Sequence, residues 1–254
     1  MGFLHQGHLS LIKKSKQISD ITVVSIFVNP TQFAPGEDFE SYPRNMERDI
    51  NLLVEQDVDC LFCPEPDEIY IPGFQTYVET QEMTKTLEGE SRPSHFKGVT
   101  TIVSILFNCV KPDFAFFGQK DAQQAAVIKR MNDDLKFGAE VITCPIVREP
   151  DGLALSSRNV YLSPGEREDA VVLSRSLKLG MSMVEKGEKN AKKITSEMTD
   201  LIKSVKSSDL DYVTIVDASS FEGVDKIEEG KKYYILLACR IGKTRLIDNT
   251  LLNL

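Results

Sequence analysis

Two histidines, His5 and His8 of His5-Gln6-Gly7-His8, stand three residues apart at the head of an amphipathic segment carrying Leu9, Ile12 and Ile18. On a helix this spacing puts both imidazoles on one face. At the helix N-terminus they join unpaired backbone N–H groups and the positive end of the dipole, a constellation that binds anions and phosphates above all. Gly7 would admit a phosphate to the backbone where a Cβ obstructs it. The plain alternative is a pair of surface histidines near a chain end.

Three more stretches carry the residue types such a site needs. FVNPTQF, residues 27–33, directly follows an apolar run, and α/β proteins bind ligands beyond the carboxyl ends of their strands. FFGQKD, residues 116–121, passes from apolar residues through Gly118 to Lys120 and into a segment with Gln123 and Gln124. REPDGLALSSRN, residues 148–159, is rich in Gly and short donors, and Ser156 and Ser157 beside Arg158 suit a phosphate clamp. Gln124 also reads as a solvent-facing helix residue, and Val147 as a core strand residue. Gly242-Lys243-Thr244 does not complete a phosphate loop, because Leu237 stands where its first Gly belongs, and no G-x-G-x-x-G occurs.

The elements that must position these residues alternate. Continuous apolar runs predict strands at 21–28, 58–63, 114–117 and 141–147. Apolar stripes at helical spacing predict helices at 45–56 (Ile50, Leu53, Val54), 99–110 and 121–135. This order indicates parallel βαβ units. Ser163-Pro164-Gly165-Glu166 reads as a helix cap with Pro at the first helical position, and marks the expected boundary between a domain of residues 1–163 and one of residues 164–254. Beyond it, helices over 165–185 and 190–206 and strands over 211–217, 232–239 and 244–248 suggest a smaller α+β domain.

The 254 residues are 41% hydrophobic and 27% charged, as in ordinary globular proteins, and no apolar run reaches membrane-spanning length. A net charge of -8 opposes nucleic-acid binding but leaves a small phosphorylated ligand open. With no secretory or myristoylation signal at the amino terminus, a cytoplasmic location is expected. Five cysteines in no framework-like spacing are expected to be buried thiols, Cys60-Leu61-Phe62-Cys63 included, and no protein metal site is expected.

Together the segments MGFLHQGH (1–8), 27–44, RPSHFKGV (92–99), 117–124, 147–162 and TRLIDN (244–249) resemble the pantoate-β-alanine ligase family, within the nucleotidyltransferase superfamily that shares H-x-G-H. The resemblance implies an α/β fold, a Rossmann-like parallel sheet followed by a smaller C-terminal α+β domain that acts as a lid. It also implies ATP-dependent condensation of pantoate with β-alanine through a pantoyl adenylate, with Mg2+ on the phosphates and a homodimeric assembly. His5 and His8 would donate to the phosphates, His8 as proton donor, and Lys120, Ser156, Ser157 and Arg158 would hold the triphosphate. Met1, Gly2, Phe3, Leu4, Gln6, Gly7, Gly118, Gln119, Asp121, Val147 and Leu155 would line the nucleotide, partly through backbone. Gln32 and Gln124 would hold pantoate, and Asn29 and Gln32 would receive β-alanine. Arg92 and His95 fall in a matched motif without an assigned role. Family members carry a strand ahead of the Met-Gly of this motif, so the first strand of the sheet is expected to be missing from this chain. Two other readings are a nucleotidylyltransferase that leaves a nucleotidyl adduct, and a nucleotide-binding remnant without turnover.

Overall fold

The computed structural model describes residues 2–253, so Met1, expected at the nucleotide, lies outside the described residues. The chain divides into two compact units, Met1–Pro145 and Ile146–Leu254. The sequence places a boundary at Ser163-Pro164; that step starts a helix inside the second unit, capped by Ser163 and Glu166 in a reciprocal box. Residues before it belong to the second unit because Leu153 joins its apolar core.

The first unit repeats one motif. Helix α1 (Gln6–Ile18) precedes strand β1 (Val23–Ser25), which is followed by α2 (Met46–Glu55) and β2 (Cys60–Phe62). β1 and β2 pair in parallel with Val23 opposite Cys60. After the short helices α3 (Pro66–Ile69) and α4 (Glu88–Ser91) comes α5 (His95–Val110). Then β3 (Phe114–Gly118), α6 (Ala122–Leu135) and β4 (Glu140–Cys144) form a second parallel crossover, Phe114 opposite Glu140. The expected α/β class holds, but the single sheet occurs here as two separate parallel pairs.

The strand expected over 21–28 pairs only over Val23–Ser25: Ile21 is 69% exposed, and Ile26 keeps one ladder bond to Phe62 before the chain turns away. One apolar cluster joins Val99, Ile102, Val103 and Phe107 of α5 to Ile128 and Met131 of α6; another joins Leu4 to Leu9, Ile12, Ile26 and Leu53. Of the stripe expected on α2, only Leu53 is buried; Ile50 and Val54 are exposed and Asp49 turns inward instead.

In the second unit, α7 (Pro164–Asp169), α8 (Val171–Glu185) and α9 (Ala191–Lys203) lead into an antiparallel sheet of β5 (Ser208–Asp217), β6 (Lys232–Ile241) and β7 (Thr244–Asn253) in sequence order. Leu173, Leu177, Ile194, Met198, Ile235 and Leu237 form its core. Gly242-Lys243 is the hairpin between paired Ile241 and Thr244, and Gly242 takes φ +56 there, which accounts for this glycine without any phosphate. Cys60, Cys63 and Cys109 are exposed rather than buried; only Cys144 and Cys239 are inside. β2 has β1 as its one partner strand among the described residues, which leaves Cys60 and Cys63 at the rim. No described helix is long and apolar enough to cross a membrane.

Candidate active site

His5 is the N-cap of α1, and its Nδ1 accepts the N–H of Gly7 at 3.1 Å. His8 reaches back so that its Nδ1 accepts the N–H of His5 at 3.2 Å, closing a capping box built from imidazoles. A backbone N–H only donates, so Nδ1 of each ring must carry a lone pair and each Nε2 must carry the proton. The rings lie 4.0 Å apart, centroid to centroid. This leaves the Nε2–H of each ring as a donor that the helix start can offer to an anion. The backbone N–H groups of His5 and Gly7, expected to face the phosphate, are already used.

Burial keeps both imidazoles neutral. The His5 pKa is lowered to about 4, first by desolvation and then by the Lys120 ammonium, with Asp121 opposing and Arg48 adding to the shift. His8 is held well below the usual histidine value by burial, then by His5 and Lys120. The charges of Lys120, Asp121 and Arg48 thus bear on His5, and that of Lys120 on His8 as well, at one locus of the first unit. Lys120 and Asp121 sit in the 3-10 turn Gln119–Asp121 beyond β3, with Lys120 Nζ 3.3 Å from Asp121 Oδ1. At Gly118 nothing lies within 4 Å of where a Cβ would project, so the space at the strand end is open.

The fold locates Gln32 in the 3-10 turn Pro30–Gln32, packed on α5. Gln32 is 7% exposed, yet its side-chain amide makes no hydrogen bond among the described residues. Asn29 behaves differently. At 1% exposed, its Oδ1 accepts from Thr31 N, Thr31 Oγ1 and Tyr70 Oη, and its Nδ2 donates to Gly98 O, so its side chain shapes the turn. The His95 pKa is lowered to about 4 by burial and then by Arg92, with its hydrogen bond to the Gln32 carbonyl, Glu88 and Asp121 opposing.

The two glutamines of α6 divide their tasks. Gln123 is buried and ties down the preceding loop, accepting from Glu88 N and donating to Met83 O and Thr86 O. Gln124 is only partly buried and its side chain has no partner among the described residues, as a ligand-binding amide requires.

In the second unit Ser156 caps the 3-10 turn Ser157–Tyr161, its Oγ accepting from Arg158 N. Val147 lies beyond β4 rather than within a strand, and its carbonyl accepts from Leu155 N. Arg148, for which sequence reasoning proposes no task, braces this loop. It donates to Asp248 Oδ2 and Oδ1 at 2.6 and 2.8 Å, to Gly152 O and to Asn249 O.

Sequence reasoning also missed Asp49. This α2 carboxylate, 1% exposed, accepts the N–H of Phe3 at 2.6 Å and of Leu4 at 2.8 Å, and so holds the chain entering His5. Those two backbone donors are thereby used, and the Leu4 side chain is core. A partner 46 residues away leaves no periodic signal, though an acid on an otherwise apolar helix face is the one visible hint.

The buried neutral histidines give stability a pH dependence. Where a folded-state pKa lies below the unfolded one, the unfolded chain binds more protons between the two values, so stability rises with pH through that window. The window runs from about 4 to the ordinary value of 6.5 for His5 and His95. Stability is thus expected to fall as pH drops from 6.5 toward 4, by about 2–3 kcal/mol for His95 alone. Urea midpoints across that range test this, and a flat profile contradicts it.

Comparison with known proteins fits this geometry. A family model for Pantoate-beta-alanine ligase matches residues 1–251. Pantothenate synthetase of Acetivibrio thermocellus is 55% identical over 251 residues, covering 99% of this chain and 89% of that protein. The enzyme of the same name from Thermotoga petrophila is 53% identical over 252 residues, with the same two coverages. Among solved structures, pantothenate synthetase from Thermus thermophilus superimposes with a TM-score of 0.94 at 43% identity, over 98% of this chain and 90% of that one. Pantoate-beta-alanine ligase from Francisella tularensis, complexed with beta-gamma ATP and beta-alanine, gives a TM-score of 0.79 at 37% identity over 99% and 87%.

Proposed function

The chain belongs to the pantoate-beta-alanine ligase family, and from that premise we propose how its residues carry the reaction. It is an ATP-dependent ligase that joins pantoate to β-alanine. In the first step a pantoate carboxylate oxygen bonds to the α-phosphorus of ATP and the bond to pyrophosphate breaks. In the second, the β-alanine nitrogen bonds to the acyl carbon, the bond to AMP breaks, and the nitrogen loses a proton to give the amide. Both other readings, a nucleotidyl adduct as product and a remnant without turnover, are not favoured by this membership.

The observation that carries the assignment is the pair of Nε2–H donors of His5 and His8 beside the Lys120 ammonium. Neutral imidazoles serve phosphate oxygens as fixed hydrogen-bond donors, so we assign His8 electrostatic stabilisation in place of the proton donation that the resemblance implies. Gln6, Gly7, Gln119 and Asp121 flank that locus, and the open space at Gly118 suits the nucleotide. Gly2, Phe3 and Leu4 shape its entry through Asp49. Ser156, Ser157 and Arg158 supply the second unit's phosphate donors, with Val147 and Leu155 bracing their loop. Gln32 and Gln124, whose side-chain amides have no partner among the described residues, hold pantoate and Gln32 guides β-alanine; Asn29 acts through the turn it shapes.

Among the described residues no group of three or more His, Cys, Asp or Glu is arranged to hold a metal ion. Mg2+ keeps water and phosphate oxygens as ligands, so it fits as an ion carried in by ATP with no protein cage. When bound it neutralises phosphate charge. A homodimer and a cytoplasmic location complete the proposal.

We assign the two parallel pairs to one Rossmann-like sheet, with a strand that the described residues do not contain between β1 and β3. Supporting this, Gly2 lies against Ile26 just past β1, His5 is beside Lys120 just past β3, and α1 packs on β3 and β4. The functional assignment is tested by AMP release from the full-length enzyme, which must require both pantoate and β-alanine; release that ignores pantoate overturns it.

A further inference from the structure

Arg92 and His95, at the entry of α5, act on one atom. Arg92 Nη2 donates to the carbonyl oxygen of Gln32 at 3.1 Å, and His95 Nδ1 lies 3.1 Å from the same oxygen. A carbonyl only accepts, so His95 Nδ1 bears the proton, the tautomer opposite to that of His5 and His8. Arg92 is itself fixed by a two-point pair with Glu37, Nε to Oε1 at 2.8 Å and Nη2 to Oε2 at 2.7 Å, with side chains only 16% and 22% exposed. Such forked pairs set direction as well as distance.

The other side of the turn is held as firmly. Gly98 packs so close that a Cβ there would stand 2.5 Å from Thr31 O, and its carbonyl accepts from Asn29 Nδ2 at 3.0 Å. Between these holds the Gln32 carbonyl is fixed, while its side-chain amide, nearly buried, has no partner among the described residues. Orienting a buried amide before substrate arrives removes an ordering cost from binding.

We propose that Arg92 and His95 are positioning residues that aim the Gln32 amide at pantoate by fixing its backbone carbonyl. This rests on the reading of Gln32 as a pantoate-binding residue. They act through Gln32 and need not touch substrate.

A double-mutant cycle in the full-length enzyme tests it. Arg92→Ala and His95→Leu are each expected to raise the pantoate KM about tenfold or more, with the ATP KM changed by less than about twofold. Arg92→Lys keeps the charge and loses the fork, and should behave nearly as Arg92→Ala; His95→Asn, which retains a donor near Nδ1, should recover most of the loss. On a Gln32→Ala background Arg92→Ala should add less than about twofold. The same factor in both backgrounds overturns the inference, as does a parallel rise in both KM values across the milder Arg92→Lys and His95→Asn variants. If Gln32→Ala alone leaves the pantoate KM unchanged, the underlying reading of Gln32 fails, and that failure is visible before any Arg92 or His95 variant is made.

Discussion

Replacing His8 by alanine lowers kcat by about 10²–10³-fold, the usual loss when one preorganised donor to a developing charge is removed. The effect is large because the donor is fixed before substrate arrives: the His5 N–H pins Nδ1 and leaves Nε2–H as the outward group. His8→Gln places an amide N–H near the same reach and should recover part of the rate, whereas alanine offers nothing. Alanine also removes half of the capping box, so a stability loss of about 1 kcal/mol accompanies it. Steady-state kinetics beside a urea titration separate the two effects. A kcat within about threefold of wild type, on a folded His8→Ala protein, contradicts the assignment.

Replacing Asp49 by alanine is expected to cost about 2–4 kcal/mol, since a buried N–H and a half-buried one lose a charged acceptor at once. Phe3, at φ 49, stands in the left-handed region that a non-glycine residue adopts only when held there, and the Asp49 carboxylate takes its N–H. Released, residues 2–4 relax and carry the His5 cap with them, so activity falls more steeply than folded fraction. Asp49→Asn presents one N–H2 to a backbone N–H and recovers only part of the stability. Denaturant midpoints and kcat on the same preparations check this, and normal kcat in a destabilised Asp49→Ala protein contradicts the link to the site.

Much of the fold was legible because burial in βαβ units writes itself as apolar runs and stripes. α2, α6 and the antiparallel strands fall close to where periodicity put them. α5 starts at His95, ahead of the stripe at Val99, because Gly98 packs on a turn that periodicity does not show. At the site, residue types at His5, His8, Lys120 and Gln32 announced phosphate and polar-ligand chemistry. What stayed hidden was direction: which imidazole nitrogen carries the proton, which of Gln123 and Gln124 is free, and which carbonyl Arg92 and His95 grip. These depend on partners such as Asp49 for Phe3 and Gln32 for His95, 46 and 63 residues apart, fixed by packing and absent from local pattern.

Exchange of labelled pyrophosphate into ATP by the full-length enzyme, with pantoate present and β-alanine withheld, isolates adenylate formation at the His5, His8 and Lys120 locus. Exchange is expected only with pantoate, and is expected to fall about 10²-fold or more in His8→Ala and in Lys120→Ala. Undiminished exchange in either variant, or none in wild type while amide product still forms, would contradict the assignment.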